Sequence, residues 1–164
     1  MTINQLSFSG LIVSILSIIA GAIVRATGSG DGCGASWPTC NGEIIPKLET
    51  SSELIEFSHR FISGFLLIIT LIIFIKSFTD KVPTLQKRII WLLTFFVLLE
   101  ALIGAVIVVY EWVGLNSSSP RIIAVPLHLV NTFGLLGTYT LLFHLTKNLK
   151  NSLNNFFDRG FKIC

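Results

Sequence analysis

The chain has 164 residues, of which 52% are hydrophobic and only 13% are charged. A soluble domain carries roughly a quarter charged residues, so this composition indicates a surface that faces lipid rather than water. The net charge of +3 is small, and the basic residues stand beside apolar segments, which argues against nucleic-acid binding. We therefore expect an integral membrane protein with lipid, and not nucleic acid, as its surroundings.

Four segments are apolar over about 20 residues, the length that a helix needs to cross the hydrocarbon core of a bilayer. They cover approximately residues 6–24, 54–78, 89–110 and 122–146, and a long loop over approximately residues 25–53 joins the first two. This pattern predicts an all-α fold, in which residues 1–164 form a single membrane domain built as a bundle of four transmembrane helices.

The distribution of Lys and Arg predicts the orientation of these helices. The connection after the second segment and the tail after the fourth hold most of the basic residues, and such regions stay in the cytoplasm. Both termini are then cytoplasmic and the loop over residues 25–53 is external. The first residues lack the basic region of a cleavable signal, so we expect a multi-pass protein of a prokaryotic plasma membrane.

A short internal repeat indicates how the helices are related. Residues 21–24 read Gly-Ala-Ile-Val and residues 104–107 read Gly-Ala-Val-Ile, near the outer ends of the first and third segments. Each is followed by an external connection and an inward segment with a His near its start. This predicts two helical hairpins in a pseudo-repeat. Chance similarity between short apolar segments is the alternative.

Two histidines predict a cofactor site. His59 and His128 lie a few residues into the second and fourth segments, within about 10 Å of the outer surface at 1.5 Å per residue. Two neutral imidazoles at one depth can take both axial positions of a heme iron. Hydrogen bonding between helices is the other interpretation. His144 lies about 24 Å further along the fourth helix and is predicted to be a surface residue.

Each charged residue near this histidine pair has more than one interpretation. Glu56 precedes His59 by three and shares its helix face, so it is either a proton acceptor beside a bound ligand or the partner of Arg60. Arg25, Arg60 and Arg121 lie at the outer ends of helices. They could bind the propionates of a heme, because Arg pairs bidentately with carboxylates, or they could anchor the helices at the interface.

The external loop contains Cys33 and Cys40. Because the external side is oxidising, a disulfide is expected, either as a structural link or as an exchangeable redox pair. Glu100 stands near the middle of the third segment, where a charge would be expensive, so it is expected to be protonated or hydrogen-bonded. It would line the heme cavity or a proton path, or contact another protomer.

Three stretches resemble the heme A synthase family: residues 21–33, residues 37–42 and residues 55–60. The sequence Pro-Leu-His that ends at His128 resembles the family's second ligand position, but this resemblance is looser than that of the three stretches. Family members usually have eight helices in two similar halves, and this chain resembles the N-terminal half. Glu100 departs from the family pattern, which has an uncharged polar residue there.

The resemblance implies oxidation of the C8 methyl of heme O to a formyl group by successive hydroxylations, which gives heme A for terminal oxidases. It implies heme b as cofactor, His59 and His128 as axial ligands of the iron, and Glu56 as the catalytic carboxylate. A homo-oligomer would replace the fused halves. A heme O synthase and an electron acceptor are possible further partners.

Two other functions fit parts of the pattern. A bis-histidine membrane cytochrome b, which transfers electrons, would use the same histidine pair without a catalytic Glu56. A quinone-linked disulfide oxidoreductase also uses four helices and external cysteines. That class needs a second external cysteine pair, and apart from Cys33 and Cys40 the sequence contains only Cys164, on the predicted cytoplasmic side.

Overall fold

The computed structural model describes residues 1–47, 49–113 and 118–161, and side chains up to residue 148. Four long helices make up nearly all of it: α1 (Ile3–Thr27), α2 (Ser51–Thr79), α3 (Thr84–Val109) and α4 (Ser119–Phe161). Each contains a stretch long and apolar enough to cross a membrane. The predicted all-helical fold with four membrane-crossing segments is therefore confirmed.

The first two helices begin before the apolar runs do, because polar residues cap them. The Thr2 side chain accepts a hydrogen bond from the Gln5 N–H, and the Gln5 side chain accepts one from the Thr2 N–H, which forms a capping box. Thr50 and Glu53 form the same arrangement at the start of α2. These pairs satisfy backbone N–H groups that a helix start would otherwise leave unpaired, so the helices extend into the polar flanks.

The helices form a ring in chain order. Helix α1 packs against α2 and α4, and α3 packs against α4 and α2. This is the arrangement of an up-and-down four-helix bundle, in which successive helices are antiparallel neighbours. It leaves α2 and α4 at opposite corners, facing each other across the interior.

The apolar core fills one half of the bundle, which we call the tail half: residues 3–14, 66–77, 86–97 and 135–146. Its largest fully buried side chains are Tyr139, Ile73, Ile90, Leu93 and Leu142. Tyr139 of α4 lies over Gly10 of α1, where an added Cβ would come within 2.2 Å of the ring. The Tyr139 hydroxyl also hydrogen-bonds Thr70 Oγ1 of α2 at 2.5 Å. These contacts tie three helices together.

The other half is packed differently. We call it the loop half: residues 15–27, 51–63, 98–109 and 119–131. Helix α1 has no described buried residue beyond Ser14, and the apolar cluster in this half is small, with Ile103, Ile107 and Ala124 at its centre. Fewer side chains are therefore buried in the loop half than in the tail half.

Candidate functional site

The two predicted histidines lie together in the loop half. Each follows the start of its helix by about nine residues, so the two imidazoles reach the same depth to within about one residue. They come from α2 and α4, the opposite corners of the ring, and His59 lies within electrostatic range of His128. The structure thus brings His59 and His128 towards the same part of the bundle interior.

In the first hairpin, His59 lies against a small-residue face of α1. A Cβ on Gly21 would be 3.0 Å from His59 Cε1, so only glycine gives the ring this approach. One turn earlier, the Ser17 backbone interacts with the imidazole. Ser63, one turn after His59, hydrogen-bonds Ser17 with its hydroxyl at 2.9 Å and the His59 carbonyl at 2.8 Å.

In the second hairpin, His128 meets α3 in a similar way. A Cβ on Gly104 would lie 3.7 Å from His128 Cε1. One turn before this glycine, Glu100 Oε1 lies 3.4 Å from His128 Nδ1. Thr132, one turn after His128, shares its single hydroxyl proton between Glu100 Oε1 at 2.5 Å and the His128 carbonyl at 2.9 Å. Within each helix the spacing is the same as for Ser17 with Gly21 and for His59 with Ser63, and the pseudo-repeat itself stays a prediction.

Both imidazoles have a nitrogen that lacks a hydrogen bond. Nδ1 of His59 and Nδ1 of His128 are buried and have no hydrogen-bond partner among the described residues. Buried polar atoms rarely lack a hydrogen-bond partner. An atom that lacks one needs an explanation, such as a bound group nearby. Two imidazoles on helices at opposite corners of the bundle, in its sparsely buried half, would suit the ligation of a heme iron. The residues present therefore suit a bis-histidine heme.

Glu56 is buried beside this pair and is already engaged. Its Oε2 accepts a hydrogen bond from the Cys33 N–H at 2.8 Å, and its Oε1 pairs with the Arg60 guanidinium. The residue is 3% exposed. The ion pair with Arg60, one of the interpretations of the sequence, is therefore present, and the structure adds a contact with the loop between α1 and α2 that the sequence did not suggest.

Arg60 extends this contact to the rest of the loop. Its NH1 group donates to the Ser36 carbonyl at 2.6 Å and to the Thr39 carbonyl at 2.5 Å. Close to these carbonyls along the chain, the Sγ atoms of Cys33 and Cys40 lie 2.02 Å apart, at the separation of a disulfide, and both residues are fully buried. We call the contacts of Glu56 and Arg60 with residues 33–40 the loop clamp.

The remaining predicted residues lie around the edge of the site. Arg25 is exposed near the end of α1, and Arg121 is half-buried in the first turn of α4. His144 is exposed in the tail half, with Nε2 2.8 Å from Asn148 Nδ2, so it lies away from the other two histidines.

Sequence reasoning missed the polar residues that support the histidines. Ser17, Ser63, Asn131 and Thr132 were not singled out, because isolated hydroxyl and amide side chains are common in membrane helices. A usable signal was present: Ser63 and Thr132 each follow a histidine by four, so they share its helix face.

Fold and site together define a class: a membrane-spanning four-helix bundle with a pair of facing histidines suited to a heme. Within that class, residues 4–160 match the model of the COX15-CtaA family, described as cytochrome oxidase assembly protein. The chain belongs to this family, the heme A synthase family, as the sequence resemblance indicated.

The curated relatives have two different names. A protein of Thermus thermophilus named protoheme IX farnesyltransferase is 41% identical over 134 residues, which are 80% of this chain and 22% of the relative. The heme A synthase of Geobacillus kaustophilus is 42% identical over 94 residues, 57% of this chain and 30% of the relative. The chain thus spans about a third or less of the relatives' length. No solved structure matches it significantly.

Proposed function

We propose that this chain works in heme A synthesis, in the oxidation of the C8 methyl of heme O to a formyl group. The observation that carries the proposal is the pair of histidines that reach the same depth on helices at opposite corners of the bundle, in a chain of the heme A synthase family. His59 and His128 would hold the iron of a heme b or of the substrate. A heme held there would supply redox chemistry in an apolar setting.

The residues around the pair would position these groups. The loop clamp holds residues 33–40 against α2 close to His59, where this loop would limit the access of water to the reacting methyl. Glu56 lies one helical turn from His59, where a carboxylate could accept a proton released during oxidation. Arg25 and Arg121 stand where they could pair with heme propionates, which are carboxylates. We also propose that the sulfur atoms of Cys33 and Cys40 form a structural disulfide, since both are buried.

The proposal requires partners. Oxidation of a methyl group needs an acceptor for the electrons, and heme O has to be delivered. The Thermus relative supports a link with the enzyme that makes heme O, because a protein named protoheme IX farnesyltransferase contains a segment similar to this chain. Self-association, cytoplasmic termini and a prokaryotic plasma membrane remain predictions. Crosslinking in membranes and labelling of single cysteines from either side would test them.

A membrane cytochrome b remains the second candidate, because one observation favours it. Glu56 is bound to Cys33 and Arg60, so the carboxylate has a structural role that needs no catalysis. An electron-transfer subunit would use the same histidines and the same clamp.

The deciding experiment is expression in a host that makes heme O but no heme A, followed by extraction and identification of the hemes. Heme A, or its hydroxylated precursor, is expected with the wild-type chain and not with His59→Ala or His128→Ala. Heme b alone, held by two histidines in the wild-type chain, would favour the cytochrome. A wild-type chain that binds no heme would contradict both candidates.

A further inference from the structure

The two histidines have different neighbours, although their surroundings otherwise repeat. Four residues before the glycine that faces each imidazole, α1 has Ser17 and α3 has Glu100. His59 therefore faces a backbone group of α1, while His128 faces a carboxylate at 3.4 Å from its Nδ1. The pseudo-repeat thus contains one chemical difference next to the proposed ligands.

Neighbouring side chains hold Glu100 in place as an acceptor. Asn131 Nδ2 donates to the Phe96 carbonyl at 3.0 Å and to Glu100 Oε2 at 2.5 Å. The Phe96 carbonyl can only accept, so the amide nitrogen and not the amide oxygen must point this way. The Thr132 hydroxyl donates to the other carboxylate oxygen. With both oxygens receiving a hydrogen bond, Glu100 presents Oε1 towards His128 as a further acceptor.

This geometry determines which nitrogen of His128 is available to a metal. Nδ1 is the imidazole nitrogen recorded near the carboxylate, 3.4 Å from Oε1 and without a hydrogen bond, so an N–H on Nδ1 has an acceptor close by once the ring reorients. The other nitrogen, Nε2, then carries a lone pair. Metal-bound histidines commonly donate their second N–H to a carboxylate or carbonyl in this way, which sets the tautomer and makes the ligand more basic.

We infer that Glu100 is a positioning residue for His128: it holds the imidazole with its proton on Nδ1, leaves Nε2 for the heme iron, and makes His128 the stronger donor of the two axial ligands. The inference rests on the proposed role of His128 as a ligand. His59 has no equivalent carboxylate among the described residues, because Glu56 on its own helix is engaged by Cys33 and Arg60. The two ligands of one iron would then be unequal.

A purely structural role for Glu100 predicts different results when this residue is replaced. If Glu100 only joined α3 to α4 through Asn131 and Thr132, replacing it would lower stability and leave a bound heme unchanged. If it acts on His128, the bound heme must change even where stability does not. A ligand that donates its second N–H to a carboxyl oxygen is a stronger donor and favours the oxidised iron, so replacement of Glu100 should raise the reduction potential.

The test uses the full chain, purified with its heme in detergent, as Glu100→Gln and Glu100→Asp. Three quantities are measured: heme per chain, midpoint potential by spectroscopic titration, and the low-spin electron paramagnetic resonance spectrum of the oxidised heme. Thr94→Val is the matched control, because the Thr94 hydroxyl, also on α3, bonds the Ile90 carbonyl of its own helix at 2.8 Å.

We expect Glu100→Gln to keep heme, to raise the midpoint potential and to shift the resonance spectrum, because the axial ligand itself has changed. Glu100→Asp should lie between Gln and wild type, and Thr94→Val should match wild type. Heme should dissociate about tenfold faster from Glu100→Gln, at the lower end of the roughly 10–100-fold losses seen for such partners.

An unchanged potential and spectrum in Glu100→Gln would overturn the inference while leaving the proposed function intact. A raised potential with an unchanged resonance spectrum would also overturn it, since that combination indicates a distant charge and not an altered ligand. A wild-type chain that binds no heme would contradict the proposed function itself, so the two failures are distinguishable.

Discussion

Gly21 and Gly104 provide a matched pair of positions for testing the histidine site. Both glycines lie inside helices and both face the Cε1 atom of a histidine, but at different distances. A Cβ on Gly21 would be 3.0 Å from His59 Cε1, and a Cβ on Gly104 would be 3.7 Å from His128 Cε1. Favourable contact between carbon atoms lies at about 3.5–4.0 Å, so alanine fits at Gly104 and is too close at Gly21.

The expected effect of Gly21→Ala follows from this difference. The His59 ring has to move by about half an ångström, more than the roughly 0.2 Å tolerance of metal–ligand distances. Overpacking of this kind costs about 1–3 kcal/mol, so heme should be held about tenfold less tightly or worse. Alanine also favours a helix over glycine by about 1 kcal/mol. That gain is common to both variants, and the comparison with Gly104→Ala removes it.

The assay is the amount of heme per purified chain and the rate at which heme transfers to an excess of a heme-free acceptor protein. Gly104→Ala should behave as wild type in both, and Gly21→Ala should lose heme faster. Equal retention by the two variants would refute the reasoning, because His59 would then tolerate displacement. Equal loss would point to general packing of the helices and not to the histidine contact.

Two other predictions concern stability. Gly10→Ala would place a Cβ 2.2 Å from the Tyr139 ring and should destabilise the bundle by about 1–3 kcal/mol. Gly64→Ala is the control and should not destabilise it, because a Cβ there would have nothing within 4 Å. Unfolding of both variants in a graded denaturing detergent checks the prediction. Replacing Cys33 and Cys40 by Ser should cost about 2–3 kcal/mol by loop-closure entropy and make the loop easier to cleave by protease, with heme retained. Loss of heme in this variant would show that the loop does more than cover the site.

The fold could be predicted from the sequence because each membrane helix is specified locally. A run of about 20 apolar residues has to be helical in lipid, since a helix satisfies every backbone hydrogen bond within the segment. The helix ends were less predictable. Thr2 and Thr50 extend α1 and α2 through capping boxes, and polar residues carry α4 on to Phe161. The pattern of apolar residues alone does not predict these helix extensions.

The site could be predicted only in part. His59 and His128 were identified from their depth, which is a property of position along a helix. The loop clamp was not identified, because it depends on where the long loop between α1 and α2 packs against α2. Gly32 illustrates this: a Cβ there would lie 2.5 Å from the Ser52 backbone, so the loop lies directly against the helix start. Such contacts come from tertiary packing, and the spacing of residues in the sequence does not encode them.

The loop clamp also affects how any test of Glu56 must be interpreted. Glu56→Gln changes the carboxylate that holds the loop and the carboxylate that could accept a proton, so a loss of heme A formation in that variant has two explanations. Arg60→Ala separates them, because it releases the Ser36 and Thr39 carbonyls and leaves the carboxylate in place.

If Glu56 acts chemically, Arg60→Ala should retain measurable heme A formation while Glu56→Gln abolishes it at similar heme content. If the carboxylate only holds the loop, both variants should lose activity to a similar degree, and both should expose the loop to protease. Full activity in Glu56→Gln would remove Glu56 from the mechanism. The loop contacts therefore make Arg60→Ala the necessary companion to any substitution of Glu56.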